Sequence, residues 1–215
     1  MDLYFAPLAC SLATRIAIYE AGAQAGFIQV DTHHKQLRDG SDFRPVNALG
    51  QVPVLRTDEG WLLTENTAIL PYVADQFASA QLAPPAGSAE RARLQQWLGF
   101  IGTELHKAIF VPLLDPNAPA DVKTYARDKA ALRLGVLQAH LAQREFLLER
   151  FSVADAYLFT VLNWGQYSGI NLAGWPQVGA YYRRIAQRPH VARALAEEAA
   201  LYGEEVARRK EKNTV

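Results

Sequence analysis

The chemistry open to this 215-residue chain centres on its only cysteine, Cys10. Before it stands Leu3-Tyr4-Phe5, apolar and aromatic enough for a buried strand that Pro7 would end by removing a ladder donor. After it Leu12, Ile16 and Tyr19 recur at helical spacing beside small Ala13 and Ala17. A cysteine at such a strand-to-helix junction meets unpaired helical N–H groups and the positive end of the dipole, which favour a thiolate and lower its pKa. The competing reading is a small buried hydrophobe, the common fate of a free cysteine. Position alone leaves both open.

Three other groups could hold or activate a polar ligand. Val52-Pro53 opens an apolar run, and a cis bond there would turn the Val52 N–H and C=O outward, free to pair with an extended peptide. Thr64-Glu65-Asn66-Thr67 begins a helical pattern, with Thr64 as expected N-cap and Glu65 complementing the dipole. That helix start would bind a carboxylate through its free N–H groups, with Asn66 adding a donor and Glu65 pairing an ammonium. On the first long helical segment, Gly99, Thr103, His106 and Phe110 share one α-helical face, small and polar enough to line a cleft. Lys107 points to a neighbouring face. His33 and His34 adjoin without further ligands at suitable spacing, so no metal site is expected.

The elements that must position these residues can be read in order. Gly22 stops the first helix, and Phe27 to Val30 reads as a strand, giving a βαβ unit. Thr32 to Asp42 is polar and reads as a solvated loop. Asp58-Glu59-Gly60 turns Val54-Leu55 back on Trp61-Leu62-Leu63 as a hairpin, and a helix with Pro71 inside it follows. Residues 78–89, with Pro84-Pro85 and Gly87, read as a linker. Helices are expected near 88–114, 121–145, 153–167, 176–187 and 190–200, followed by a loose charged tail. Ser152 to Asp155 fits a capping box, and Tyr157 one turn further could reach a cleft, with core packing the stronger reading.

Bulk properties narrow the classes. The 22 basic residues match 22 acidic ones, so a nucleic-acid partner is not expected. Residues 1–78 carry five Lys or Arg against nine Asp or Glu, a net of −4, which leaves +4 for the rest and a weak attraction between the two parts. A single cysteine excludes an internal disulfide or a Cys-x-x-Cys pair. No apolar run approaches the ~18 residues of a membrane span and no basic leader precedes an apolar core, so a soluble cytoplasmic protein is expected.

Five strings, in order and at plausible distances, carry a family resemblance. They are Ala-Cys-Ser at 9–11, Asn-x-x-Gly-Gln-Val-Pro at 47–53, Leu-Thr-Glu at 63–65, Thr-Glu-Leu-His-Lys at 103–107 and Val-Ala-Asp-Ala-Tyr-Leu-Phe at 153–159. Over nearly its whole length the chain resembles the glutathione S-transferases, bacterial beta class. The resemblance implies a thioredoxin-like α/β N-terminal domain (1–78), a linker (79–89), an all-α C-terminal domain (90–202) and a charged tail (203–215). It further implies a homodimer with its sites in the cleft between the domains.

It also implies roles. Val52, beside a cis Pro53, would pair with the cysteinyl unit of glutathione, Glu65 and Asn66 would hold the γ-glutamyl end, and Lys35 would neutralise the glycyl carboxylate. Thr103 and Lys107 join this binding set. Cys10, Ser11 and His106 form the catalytic set, with Ser11 or Cys10 donating to the ligand sulfur and His106 assisting. Phe5 stands where related chains often carry a tyrosine.

The activity so implied is glutathione transfer to small hydrophobic electrophiles, with glutathione as co-substrate and no metal. The electrophile subsite is expected around Leu8 and the first C-terminal helix, with the tail as a further contributor. Two rivals remain: thiol–disulfide exchange or peroxidase chemistry through Cys10, and a non-catalytic binding protein for glutathione or hydrophobic ligands.

Overall fold

The computed structural model describes residues 1–212. Its first part is built on β1 (Asp2–Phe5), α1 (Leu12–Glu20) and β2 (Gly26–Asp31), with β1 and β2 parallel as a βαβ unit requires. β4 (Val54–Arg56) and β5 (Leu62–Thr64) form the expected hairpin, Leu55 opposite Leu63, and α2 (Asn66–Gln76) follows. A two-residue strand, β3 (Gln36–Leu37), pairs antiparallel with the end of β2 inside the run expected to be loop. The sheet order is β3-β2-β1-β4-β5. Alternation along β1 sends Leu3 and Phe5 to the main core and Tyr4 to a small cluster with Val30, Phe43 and Val54.

Two expectations at α2 are corrected. Thr64 is not the N-cap: its pairing with Val54 keeps it in β5, and the chain turns at Glu65, which has a φ of 65°. Pro71 does not stop the helix, which continues to Gln76. Pro71 lies just past the first turn, where only the Thr67 carbonyl loses its donor, and Thr67 is exposed to water.

Beyond a 3-10 turn at Ala78–Ala80 the chain is helical, starting at Ser88, whose side chain caps α3 (Ala89–Phe100). The expected helix 88–114 is there, but it changes type. A π-helical segment, Ile101–Phe110, separates α3 from α4 (Val111–Leu114), and its closing bond runs from Val111 N–H to His106 C=O, five residues back. Next come α5 (Ala120–Leu141), α6 (Val153–Asn163), the single turn α7 (Gly165–Ser168), α8 (Pro176–Ala186) and α9 (Pro189–Lys212). The stretch expected as a loose tail from 203 is helical through Lys212; the remainder, 213–215, lies outside the described residues.

The two parts share one core. α1 lies between the sheet and the helices, burying Leu12 through Tyr19, and it packs against α2, α6 and α9. Ion pairs cross the seam: Glu20 with Arg188 and Asp75 with Arg91 follow the charge asymmetry read from the sequence, and Arg15 with Glu198 runs against it. α6 is buried throughout.

The capping box at Ser152 is formed, and Asp155 does more than cap. Its carboxylate accepts from Ser152 N–H at 2.9 Å, Ser152 Oγ at 3.0 Å, Leu147 N–H at 2.9 Å and Tyr181 OH at 2.9 Å. Substituting Asp155→Ala strands these buried donors and should lower the unfolding free energy by about 3 kcal/mol. The check is the urea midpoint at unchanged slope; a loss near zero would show that the network contributes little.

Candidate active site

A cleft of about 190 Å³ opens between the first part and the π-helical segment. Its walls include Cys10, Val52, Pro53, Glu65, Asn66, Thr103, His106 and Lys107, with Asn47, Leu49, Gln51, Thr67, Gly102 and Tyr157. Eight of the ten residues singled out from the sequence therefore meet at one place, although they span almost a hundred positions. Ser11 and Lys35 are the exceptions.

Each wall has a local cause. The Val52–Pro53 peptide is cis. Val52 C=O accepts from the Cys10 thiol at 3.1 Å, while its N–H has no acceptor among the described residues, so half of the expected peptide-pairing pair is open. At the start of α2, Glu65 holds a backbone conformation rare for a residue with a side chain, the kind of local strain that clusters at ligand sites. The Glu65 carboxylate is exposed, and the Asn66 and Thr67 N–H groups have no acceptor among the described residues. The Asn66 side chain does not provide a free donor as expected. It is buried, gives a hydrogen bond to Cys10 C=O at 2.9 Å and accepts from Thr14 Oγ1 at 3.1 Å.

The π-helical segment redraws the face expected from α-helical spacing. Its wider turn brings Gly102, Thr103, His106 and Lys107 to the cleft, whereas Gly99 is not on the wall and Phe110 packs against Trp164. Gly102 leaves space: a side chain there would touch the Thr67 methyl and the Tyr157 hydroxyl, at 3.6 and 3.7 Å. Thr103 Oγ1 is bonded to Gly99 C=O at 3.0 Å.

Cys10 does not become the activated thiolate that the helix start suggested. The first donors of α1 are already taken, Leu12 N–H by Ala9 C=O and Ala13 N–H by Cys10 C=O. Burial pushes the Cys10 thiol up to about 12, and the nearby Lys107 ammonium only partly offsets it. Nor is Ser11 a donor to the cleft. It is fully buried, and its hydroxyl gives to Ala6 C=O and accepts from Ala6 N–H, both at 3.2 Å. Phe5 and Leu8 are also buried, and neither lines this cleft. Lys35, at a φ of 59°, crosses Gly50 and gives to its C=O at 3.1 Å, beside the 47–53 wall but not lining it. Only glycine permits this, since a Cβ at residue 50 would stand 2.4 Å from Lys35 Cδ.

His106 is buried, with Nδ1 2.7 Å from the Tyr157 hydroxyl and its ring 4.9 Å from that of Trp164. Tyr157, for which core packing is the stronger of two readings from the sequence and the cleft the other, is buried yet presents its oxygen to the cleft; burial raises its pKa. The one signal that could have found it was its position a turn past the capping box on a helix with no solvent face.

The N-terminal and C-terminal domain models of glutathione S-transferase match residues 1–75 and 101–189. A glutathione S-transferase, GstA of Escherichia coli O157:H7, is 41% identical over 199 residues, covering 92% of this chain and 98% of that protein. The chain belongs to the glutathione S-transferase family. A bacterial beta-class glutathione S-transferase from Sphingomonas chungbukensis has a similar structure, with a TM-score of 0.88 at 46% identity over 92% of this chain and 98% of that one. A sphingomonad glutathione S-transferase solved in complex with glutathione gives a TM-score of 0.88 at 45% identity over 93% and 99%. Family membership accounts for the α/β part with its sheet, the all-helical part and the cleft at their seam.

Burial, with help from Lys107, pushes the His106 imidazole down to about 4. In the unfolded chain it titrates near ~6.5, so between these values the unfolded state holds the extra proton and native stability falls as pH drops. From pH 7 to pH 5 this contributes a loss of about 2 kcal/mol. A His106→Gln variant should lose correspondingly less stability over that interval in urea titrations. An unchanged loss would mean that His106 is not held neutral.

Proposed function

We propose that the cleft binds glutathione and conjugates its thiol to small hydrophobic electrophiles. The observation that carries this reading is the convergence on one cleft of an unpaired extended-backbone donor at Val52, an exposed carboxylate at Glu65 and free helix-start N–H groups at Asn66 and Thr67. Glutathione has an extended peptide backbone, an ammonium and two carboxylates to match them. In this reading Val52 and Pro53 receive the cysteinyl unit. Glu65 and the helix start at Asn66 take the γ-glutamyl end. Lys35 or Lys107 neutralises the glycyl carboxylate, and Thr103 completes the polar wall.

The nucleophile is the ligand sulfur. The thiol gives up its proton to solvent, the sulfur forms a bond to an electrophilic carbon, and a leaving group departs with its electron pair. Cys10, held as a neutral thiol, is a hydrogen-bond donor in this site. The His106–Tyr157 contact offers another. If neutral His106 gives its Nδ1 proton to the Tyr157 oxygen, the phenol proton is left to stabilise a bound thiolate. This supplies from α6 the phenol that Phe5 lacks.

A panel of aryl halides, epoxides, peroxides and mixed disulfides, each with and without glutathione, tests the reading. Conjugation of an aryl halide should persist in Cys10→Ala within roughly threefold and fall about tenfold in Tyr157→Phe. Loss of conjugation in Cys10→Ala would transfer the reaction to Cys10 and thiol–disulfide exchange. Turnover no better than buffer would leave a binding protein.

We also infer a homodimer and a cytoplasmic site of action. Val122, Tyr125, Leu132 and Val136 form an exposed apolar stripe along one face of α5, and Leu49, Trp61 and Leu62 are exposed on the α/β part. Among the described residues no helix is long and apolar enough to cross a membrane. Sedimentation should give twice the chain mass, and Tyr125→Glu with Leu132→Glu should shift it towards the monomer. An unmodified chain sedimenting as a monomer would refute the dimer.

A further inference from the structure

Cys10 enters the cleft at the end of a loop whose shape is fixed from far away in sequence. Two residues before it, Leu8 is buried in the left-handed region with a φ of 58°, which a leucine does not hold without outside support. Both of its backbone polar groups are gripped by the helical part. Its N–H gives to Glu198 Oε2 of α9 at 2.8 Å, and its C=O accepts from Trp164 Nε1 at the end of α6, also at 2.8 Å. Glu198 is fully buried, and its other oxygen lies 2.9 Å from Arg15 Nε on α1, an ion-pair contact without hydrogen-bond alignment. The Arg15 guanidinium is sandwiched on the Phe5 and Phe27 rings, 4.4 and 4.0 Å from their centroids. Neither Glu198 nor Trp164 lines the cleft.

We propose that Glu198 and Trp164 are positioning residues that hold Leu8 in its left-handed turn and so set how far the Cys10 thiol reaches into the cleft. With Leu8 released, the loop relaxes towards ordinary backbone angles and the thiol leaves the Val52 carbonyl. Trp164 adds a second link, because the indole that holds Leu8 also packs on His106. One side chain thus registers the thiol loop against the π-helical wall. The two hydrogen bonds hold the peptide units on either side of Leu8, so releasing either frees the residue in part.

The inference rests on the cleft being the reactive site, but its test does not need turnover. The rate of Cys10 alkylation by iodoacetamide is followed by mass spectrometry in folded protein without glutathione. Glu198→Ala should raise it roughly tenfold, the size of one buried hydrogen bond. Glu198→Gln, which keeps an acceptor for Leu8 N–H, should stay near the unmodified rate. Trp164→Phe should also raise it, and Leu137→Ala, a core deletion in α5 that lowers stability alone, should not. A Glu198→Ala protein alkylated at the unmodified rate, or a Leu137→Ala protein accelerated as much, overturns the proposal. Should Glu198→Ala fail to fold, Trp164→Phe decides, and an unmodified rate there overturns it equally.

Discussion

The structure depends on the burial of α1 between its two parts. One face of this nine-residue helix closes the sheet and the other is covered by α6 and α9, so the first domain's main core is not finished without the second. That requirement puts a charged residue inside. Arg15 is buried with Glu198, whose carboxyl is pushed by burial up to about 7 against the pull of Arg15. A buried pair of this kind gives little net stability, but removing one partner leaves the other charge unpaired. Its consequence is geometric: the cleft forms where the loop before α1 meets the helical part, and the two cannot drift apart while α1 is wedged between them.

Dryness at that seam then decides the chemistry. A thiol at a helix start is activated only if the helix offers unpaired donors, and here the loop carbonyls of Ala9 and Cys10 have taken them. Cys10 and His106 both stay neutral for the same reason, loss of water. The groups left open face outward into the cleft: the Val52 N–H, the Glu65 carboxylate and the start of α2. A site whose own thiol is quiet but whose peptide-binding groups are free is suited to activating a thiol brought by the ligand.

The order βαβ then ββα, the hairpin, the linker and the helical half could all be read from apolar runs and turn residues, because these are local signals. So could the cleft membership of Cys10, Val52, Pro53, Glu65, Asn66, Thr103, His106 and Lys107, once the family strings were placed side by side. What could not be read depends on the backbone or on distant partners. The π-helical turn leaves no trace in a 3.6-residue pattern, which is why α-helical spacing puts Gly99 and Phe110 on the wrong face. Thr64 has the chemistry of a cap, but its place in β5 is set by Val54 across the sheet. Ser11 and Asn66 carry groups suited to a ligand, and tertiary packing commits them to Ala6, Cys10 and Thr14 instead. Tyr157 sits on a helix buried all round, where nothing in the sequence distinguishes a hydroxyl in the core from one at a cleft. In the charge-rich segment after 202, which is helical, Glu205 meets Gln29 and Glu204 meets Arg38, contacts that no local pattern announces.

The central claim is that the reacting sulfur belongs to the ligand and not to the protein. It is tested most directly by titrating the ultraviolet thiolate absorbance of glutathione bound to the Cys10→Ala protein, where the ligand carries the only thiol. The bound thiol should show an apparent pKa well below the ~8.5 of an unperturbed cysteine thiol. A bound thiol that ionises at the free value would contradict the claim.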